Sequence, residues 1–147
     1  MHILSSPAQA DARCTCLLLR QATRRVSRLY DDRLRPAGLR TTQFSLLATL
    51  RHGEGVALGE LAERMSMDRT TLTRNLKPLV QAGLVAPRPD PDDLRRTRLG
   101  LTDAGREALR AAVPLWRDAQ RALRERLGAD TVAALHSVVD LTLERIG

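Results

Sequence analysis

Arg69, Thr70, Thr73, Arg74 and Lys77 follow one another at steps of one or three residues, and each offers a cation or a hydroxyl. Arginine forks suit phosphate oxygens and the paired acceptors of guanine, lysine is a point charge for phosphate, and threonine hydroxyls can bond either. Thr71 lies in the same run and joins these candidates. No carboxylate interrupts the stretch between Asp68 and Gln81. A solvated surface helix usually mixes signs. This one suits a polyanion with phosphates along its walls and base edges on its groove floor. A second group of cations, Arg88, Arg95, Arg96 and Arg98, follows downstream.

The elements that must position these side chains are legible around them. Asp68 is a good N-cap, because its carboxylate can accept from the free N–H groups of a first helical turn. Leu72, Leu76 and Leu79 fall at i, i+4 and i+7, so they share one face of a helix. Thr70, Thr73, Arg74, Lys77 and Gln81 then face away from it. Upstream, Leu58, Leu61, Ala62 and Met65 give a short amphipathic helix, and Ser66-Met67-Asp68 makes the turn of a helix-turn-helix. Gly83 stops the second helix, and Pro78 inside it should bend its last turns. Leu84 to Arg88 and Arg95 to Leu101 read as strands around the turn-forming Pro89-Asp90-Pro91-Asp92-Asp93. The hairpin is a basic wing. Asp93 is placed to orient Arg95, while Arg96 and Arg98 alternate onto the exposed side of the strand if Leu99 and Leu101 face the core.

At this point the chain resembles the MarR family of winged-helix regulators. The matching stretches are Glu60-Leu61-Ala62-Glu63-Arg64, Asp68-Arg69-Thr70-Thr71-Leu72-Thr73-Arg74, Ala82-Gly83-Leu84-Val85, Asp93-Leu94-Arg95 and Leu101-Thr102-Asp103-Ala104-Gly105. The resemblance spans about residues 12 to 146. It implies a mainly α fold with a small β-hairpin wing, in which a winged helix-turn-helix core carries terminal dimerisation helices. It also implies a homodimer on double-stranded DNA. Leu94 stands where the family often has another arginine, which implies a looser grip by the wing.

The 147-residue chain carries a formal charge of +7. A basic balance points to nucleic acid first and an anionic membrane second. Lys77 is the only lysine, so arginine usage could equally reflect a GC-rich genome, and the argument rests on where the arginines sit. Aromatic residues are limited to Tyr30, Phe44 and Trp116, which argues against stacking platforms for single strands. No apolar run approaches a membrane span, and the N-terminus reads as lacking a signal peptide. Two cysteines are no secreted disulfide framework. The expected setting is a reducing bacterial or archaeal cytoplasm, at the nucleoid.

Residues 1–147 read as one domain. Residues 1–10 are an expected mobile arm. Residues 11–36 are the first dimerisation helix, residues 37–102 the winged helix-turn-helix core, and residues 103–147 the last two dimerisation helices. Thr41 or Thr42 should cap the helix carrying Phe44, Leu47, Ala48 and Leu50, and Glu54 to Ala57 could add a third strand. Thr102 should cap a helix from Asp103 to Leu127, kinked at Pro114, with Leu109, Val113, Trp116 and Leu123 along it. Asp130 should cap the last helix, with Val132, Leu135, Val139, Leu143 and Ile146 on one face. The terminal stripes have no partner within a compact winged helix, and a second copy of the chain would bury them. Two recognition helices would then read a pseudo-palindromic operator with half-sites about 10 bp apart.

Cys14 and Cys16 leave two readings open. In a helix, residues two apart point about 200° away from each other, so on one helix face they neither share a metal nor pair without unwinding. That leaves pairing across a dimer, or joint capture of a soft metal by the cysteines of two chains. They are either small apolar residues of a dimer interface or a thiol sensor. In the hydroperoxide-sensing branch of the family, a reactive cysteine near the start of the first helix works with one tyrosine later on that helix and another at the start of the next. Cys16 and Tyr30 match the first two of these positions. Thr41 stands at the third, so the thiolate would lack one hydrogen-bond donor. The family also binds aromatic acids between its dimer arms and its core, which makes Arg20, Tyr30, Phe44, His52 and Trp116 candidate lining. The histidines show no metal-ligand spacing, and neither a metal nor a cofactor is expected. There is no glycine-rich phosphate loop, nucleophile elbow, HExxH or CxxC, so no enzyme is expected. The alternatives to a ligand- or thiol-controlled repressor are an architectural DNA binder and a winged-helix module that docks protein.

Overall fold

The computed structural model describes residues 13–147, so the expected arm, His2 and the expected helix start at Asp11 lie outside the described residues. The first helix, α1 (Thr15–Leu34), begins later than its apolar pattern suggests. Cys14 is its N-cap, in extended conformation, and the thiol sulfur accepts from Leu17 N. A short 3-10 turn, Arg35–Ala37, follows at the expected Pro36 stop. Helix α2 (Thr41–Thr49) is capped by Arg40 rather than by Thr41 or Thr42. Two side chains satisfy the backbone there: Asp31 accepts from Thr41 N at 2.7 Å and Gln43 from Arg40 N at 2.9 Å. A carboxylate from α1 therefore does the work expected of a local hydroxyl.

Strand β1 (Val56–Ala57), α3 (Leu58–Arg64) and α4 (Arg69–Gln81) come next. Among the described residues, Ser66 in the turn between α3 and α4 is the one non-glycine residue with positive φ, at 50°. Gly83, at φ 73°, ends α4, where a left-handed turn would strain any side chain. The wing strands are β2 (Val85–Pro89) and β3 (Thr97–Leu101), paired antiparallel with Arg88 opposite Arg98. β1 pairs with the other edge of β3, giving the order β1-β3-β2 and the third strand expected from the sequence. Arg95 and Arg96 lie in the turn and not in a strand, because the Asp93 carbonyl and carboxylate hold their amides in the bend.

Helix α5 (Asp103–Leu127) starts at Thr102, as its cap pattern predicts, with Thr102 Oγ1 accepting from Gly105 N at 3.0 Å. The Thr102 hydroxyl also donates to Gly83 O at 2.6 Å, and Thr102 N donates to Leu84 O. A Cβ on Gly105 would stand 2.0 Å from Leu84 O. The Leu-Thr-Asp-Ala-Gly stretch thus ties the turn after α4 to the start of α5. The residues α5 buries are Gly105, Ala112, Ala119 and Ala122, while Leu109, Val113 and Trp116 flank them half-buried. Small side chains on that seam let α1 lie close against α5. The last helix, α6 (Ala129–Ile146), starts from Gly128, so Asp130 sits inside its first turn instead of capping it.

One core joins these elements: Leu34 from α1, Phe44, Leu46 and Leu47 from α2, Leu61 from α3, Leu72, Leu76 and Leu79 from α4, Val85 and Leu101 from the sheet, and Ala112 from α5. Leu46 was not among the expected inner positions of α2. Apolar side chains remain exposed on α1 (Leu17, Leu18, Leu19) and α6 (Leu135, Val138, Leu143), with Ile146 81 % exposed. Among the described residues no helix is long and apolar enough to cross a membrane.

Candidate nucleic-acid interface

Helix α4 is built as its sequence predicts. Asp68 Oδ1 accepts from Thr71 N at 2.8 Å and Oδ2 from the Thr71 hydroxyl at 2.9 Å. The Thr71 N–H and hydroxyl hold the Asp68 carboxyl below its ordinary value of 3.8. Thr71 is half-buried and spends its hydroxyl on the cap, so its side chain serves the helix start. Leu72, Leu76 and Leu79 go into the core, and the helix runs through Pro78 to Gln81. Arg69, Thr70, Thr73, Arg74 and Lys77 are exposed together and line one shallow open groove. Thr73 donates to Arg69 O at 2.8 Å, which leaves its oxygen lone pairs outward. The Arg69 guanidinium lies over Gly59 of α3, with Nη2 3.1 Å from where a Cβ would be.

The wing separates its arginines into two kinds. Arg95 at the tip is 92 % exposed, and Asp93 Oδ1 accepts from its N at 3.0 Å and from its Nε at 3.3 Å. Asp93 therefore orients Arg95, in the role expected of it, and also approaches Arg96 at 3.7 Å. Leu94 projects beside them, 85 % exposed. Arg88 and Arg98 do not belong to this outer surface. Arg88 donates to Gly53 O at 3.0 Å and to Leu101 O. Arg98 pairs with Asp90 at 3.3 Å and donates to Gly55 O. Asp90 is 5 % exposed, and the Asp92 N–H, with Arg98 behind it, keeps its carboxyl below the ordinary range. Leu99 and Leu101 face the core as the alternation requires, which puts Arg98 on the other side of the strand, but there Asp90 and the Gly55 carbonyl hold it instead of leaving it free.

The other candidates occupy several environments rather than one wall. Phe44 and Trp116 stack at 5.7 Å between ring centroids, with Phe44 inside the core. Tyr30 donates its hydroxyl to Gln120 Oε1 on α5, and burial raises its phenol above the ordinary 10.0. His52 is exposed and accepts from Arg51 Nε at 3.2 Å. Arg20 lies along α1 beside Cys16, Leu19 and Ile146. What sequence reading missed is a polar groove where arm meets core. Ser27 and Asp31 of α1, Arg40 and Thr42 at the start of α2, and Arg74 of α4 line it. The unbroken Arg40-Thr41-Thr42-Gln43 run was the available signal.

Both cysteines are exposed. Cys14 caps α1 and only Cys16 lies in it, so the opposed helical directions expected for the pair do not apply. Cys16 and Tyr30 are separated by about 21 Å along the helix axis, so they cannot meet within one chain. No group of three metal-ligating side chains converges among the described residues.

Comparison with known proteins places this geometry. The MarR family profile matches residues 39–97, the stretch from the start of α2 to the start of β3. The multiple antibiotic resistance protein MarR of Escherichia coli is 30 % identical over 86 % of this chain and 88 % of its own length. The HTH-type transcriptional regulator YdgJ of Bacillus subtilis is 28 % identical, and the chain spans 62 % of its length. The transcriptional regulator MosR of M. tuberculosis, solved in complex with DNA, superposes with a TM-score of 0.76 and 38 % identity, covering 91 % of this chain and 98 % of that one. These relatives are regulators and not enzymes. With its helix-turn-helix, wing and terminal helices in the same arrangement, the chain belongs to the MarR family of winged-helix transcriptional regulators.

Proposed function

We propose that the protein is a homodimeric repressor that binds a pseudo-palindromic double-stranded operator and is released by a small ligand or by cysteine oxidation. The observation that carries the reading is the outer face of α4, where Arg69, Thr70, Thr73, Arg74 and Lys77 stand exposed with no carboxylate among them. In the major groove, Arg74 and the threonines read base edges and Lys77 neutralises phosphate. Arg95, oriented by Asp93, enters the flanking minor groove, with Arg96 on nearby phosphates. The exposed apolar faces of α1 and α6 bury each other across a two-fold axis, which sets the spacing of the two α4 helices. The regulator works in the cytoplasm.

Release acts on that spacing. The groove shared by α1, α2 and α4 presents Arg40 and Arg74 to a small aromatic or phenolic anion. An occupant there would draw Arg74 from DNA and shift arm against core. The thiol route begins at Cys16, exposed in the single chain and lying beside Ile146 of the face that the second copy covers. A hydroperoxide oxidises the thiolate to a sulfenic acid and leaves as alcohol. A second thiol then condenses with it to a disulfide and water. Because Cys14 is already off the helix, pairing the two disturbs only the first turn, the part that frays most readily.

Fluorescence anisotropy on the duplex upstream of its own gene tests both routes, with reduced protein, with protein after mild hydroperoxide, and with Cys16→Ser. Release of the wild type but not of Cys16→Ser by peroxide supports the thiol switch. Specific binding indifferent to peroxide moves the signal to the Arg40–Arg74 groove. Equal affinity for random duplexes at matched salt is the result that overturns the repressor reading in favour of an architectural binder.

A further inference from the structure

Arg88 and Arg98 face each other across β2 and β3, and like charges in register repel. The fold separates them by giving each its own acceptors. Arg98 takes Asp90 and Gly55 O, while Arg88 reaches Gly53 O, 35 residues away in sequence, and Leu101 O. To do so Arg88 lies flat across Gly100. A Cβ there would stand 2.7 Å from Arg88 Nε and 3.0 Å from its Cδ and Cζ. The glycine in an otherwise β-forming strand thus makes room for a guanidinium. Leu101 O lies at the end of the wing, one residue before the cap of α5, and Gly53 lies in the loop that leads into β1 and the helix-turn-helix. One side chain therefore bridges the middle of the wing, the arm helix's start and the entry to the DNA-reading helices.

We infer that Arg88 is a positioning residue for DNA binding: it fixes the pitch of the wing against α4 so that the tip arginines and the recognition helix reach one duplex together. The inference rests on the DNA-binding reading of α4 and the wing. Arg88 touches no DNA in this arrangement. Its guanidinium is spent on backbone carbonyls, and its effect on affinity passes through Arg95.

A double-mutant cycle tests this, using a duplex of about 30 bp that the wild-type protein selects from a randomised pool, where contacts longer than one helical turn are available. Arg88→Gln should weaken binding about five- to tenfold in the wild-type background and by less than about twofold in Arg95→Ala, the non-additivity expected of coupled residues. Gly100→Ala, which displaces the Arg88 side chain without removing it, should reproduce the loss. Combined with Arg88→Gln it should add nothing. Melting temperatures of all variants control for folding, and Gly100→Ala keeps the test alive if Arg88→Gln does not fold. Equal losses in both backgrounds would mean that Arg88 contacts phosphate or supports the fold generally, and would overturn the inference. Wild-type binding with no loss in Arg88→Gln overturns it alone. A wild type that selects no duplex overturns the DNA-binding reading as well.

Discussion

At the scale of single residues, identity matters less than where each charge finds its partner. Arg74 and Arg95 are both exposed arginines, yet one stands on a rigid helix and the other on a turn held by Asp93. Arg74→Ala should therefore cost affinity for the cognate duplex by about 1–3 kcal/mol while leaving random DNA nearly unchanged. Arg95→Ala should weaken all duplexes more evenly and lower the salt slope by about one. Anisotropy titrations on both duplex types across salt concentrations separate the two. Asp68 makes a different prediction. Its folded carboxyl sits below the ordinary 3.8 because Thr71 donates to it twice. A lowered folded value contributes stability above the unfolded value, and that stability is lost as pH falls through the folded one. The melting-temperature gap between wild type and Asp68→Ala should be widest near neutral pH and narrow below about pH 3.8.

Elements carry their own strains and fits. Ser66 holds a left-handed conformation in the turn between α3 and α4, where a side chain crowds the following carbonyl. Ser66→Gly should raise stability by up to about 1 kcal/mol, the roughly 1–2 kcal/mol relief of the left-handed conformation less glycine's roughly 0.5–1 kcal/mol entropic cost, read as a higher urea midpoint at unchanged slope. Gly105→Ala should do the reverse, by more than about 2 kcal/mol, because the new Cβ meets the Leu84 carbonyl at the start of α5 and backbone cannot swing aside. The helices themselves were legible from periodicity and caps: Asp68 and Thr102 start α4 and α5 where their side chains predict. The misplaced starts have different causes. At α2 a carboxylate ten residues back satisfies the first amide, which no local cap signal shows. At β3 the Asp93 carbonyl keeps Arg96 in the turn, and α1 and α6 start from Cys14 and Gly128 rather than from the aspartates nearby.

For the whole molecule, the exposed apolar faces of α1 and α6 are the unresolved cost of a lone chain. Val139 and Leu143 lie on the α6 face that faces away from the core. Sedimentation should find a species of twice the 16.3 kDa chain mass. Leu143→Asp should shift it toward the monomer, since a charge in an apolar interface is left unpaired. The same variant should lose operator affinity out of proportion to any loss on a single half-site, because the second α4 no longer arrives with the first. Unchanged sedimentation with Leu143→Asp would place the dimer surface elsewhere.

The sequence by itself determined the exposed basic face of α4. Leu72, Leu76 and Leu79 at helical spacing, the Asp68 cap and the absence of carboxylates leave Thr70, Thr73, Arg74 and Lys77 one direction to point, because helix geometry is local. It also determined the order of elements, since Gly83, Thr102 and Gly128 act on their immediate neighbours. Only the tertiary structure decided which arginines of the wing are free. Arg88 and Arg98 look like further phosphate contacts until the Gly53–Gly55 loop arrives beside them, bringing carbonyls from 35 and 43 residues away. It likewise decided that Tyr30 spends its hydroxyl on Gln120, 90 residues on, and that Cys14 stands off the helix. A side chain's direction follows from its own backbone, but its partner is whatever the rest of the chain places within a few ångströms.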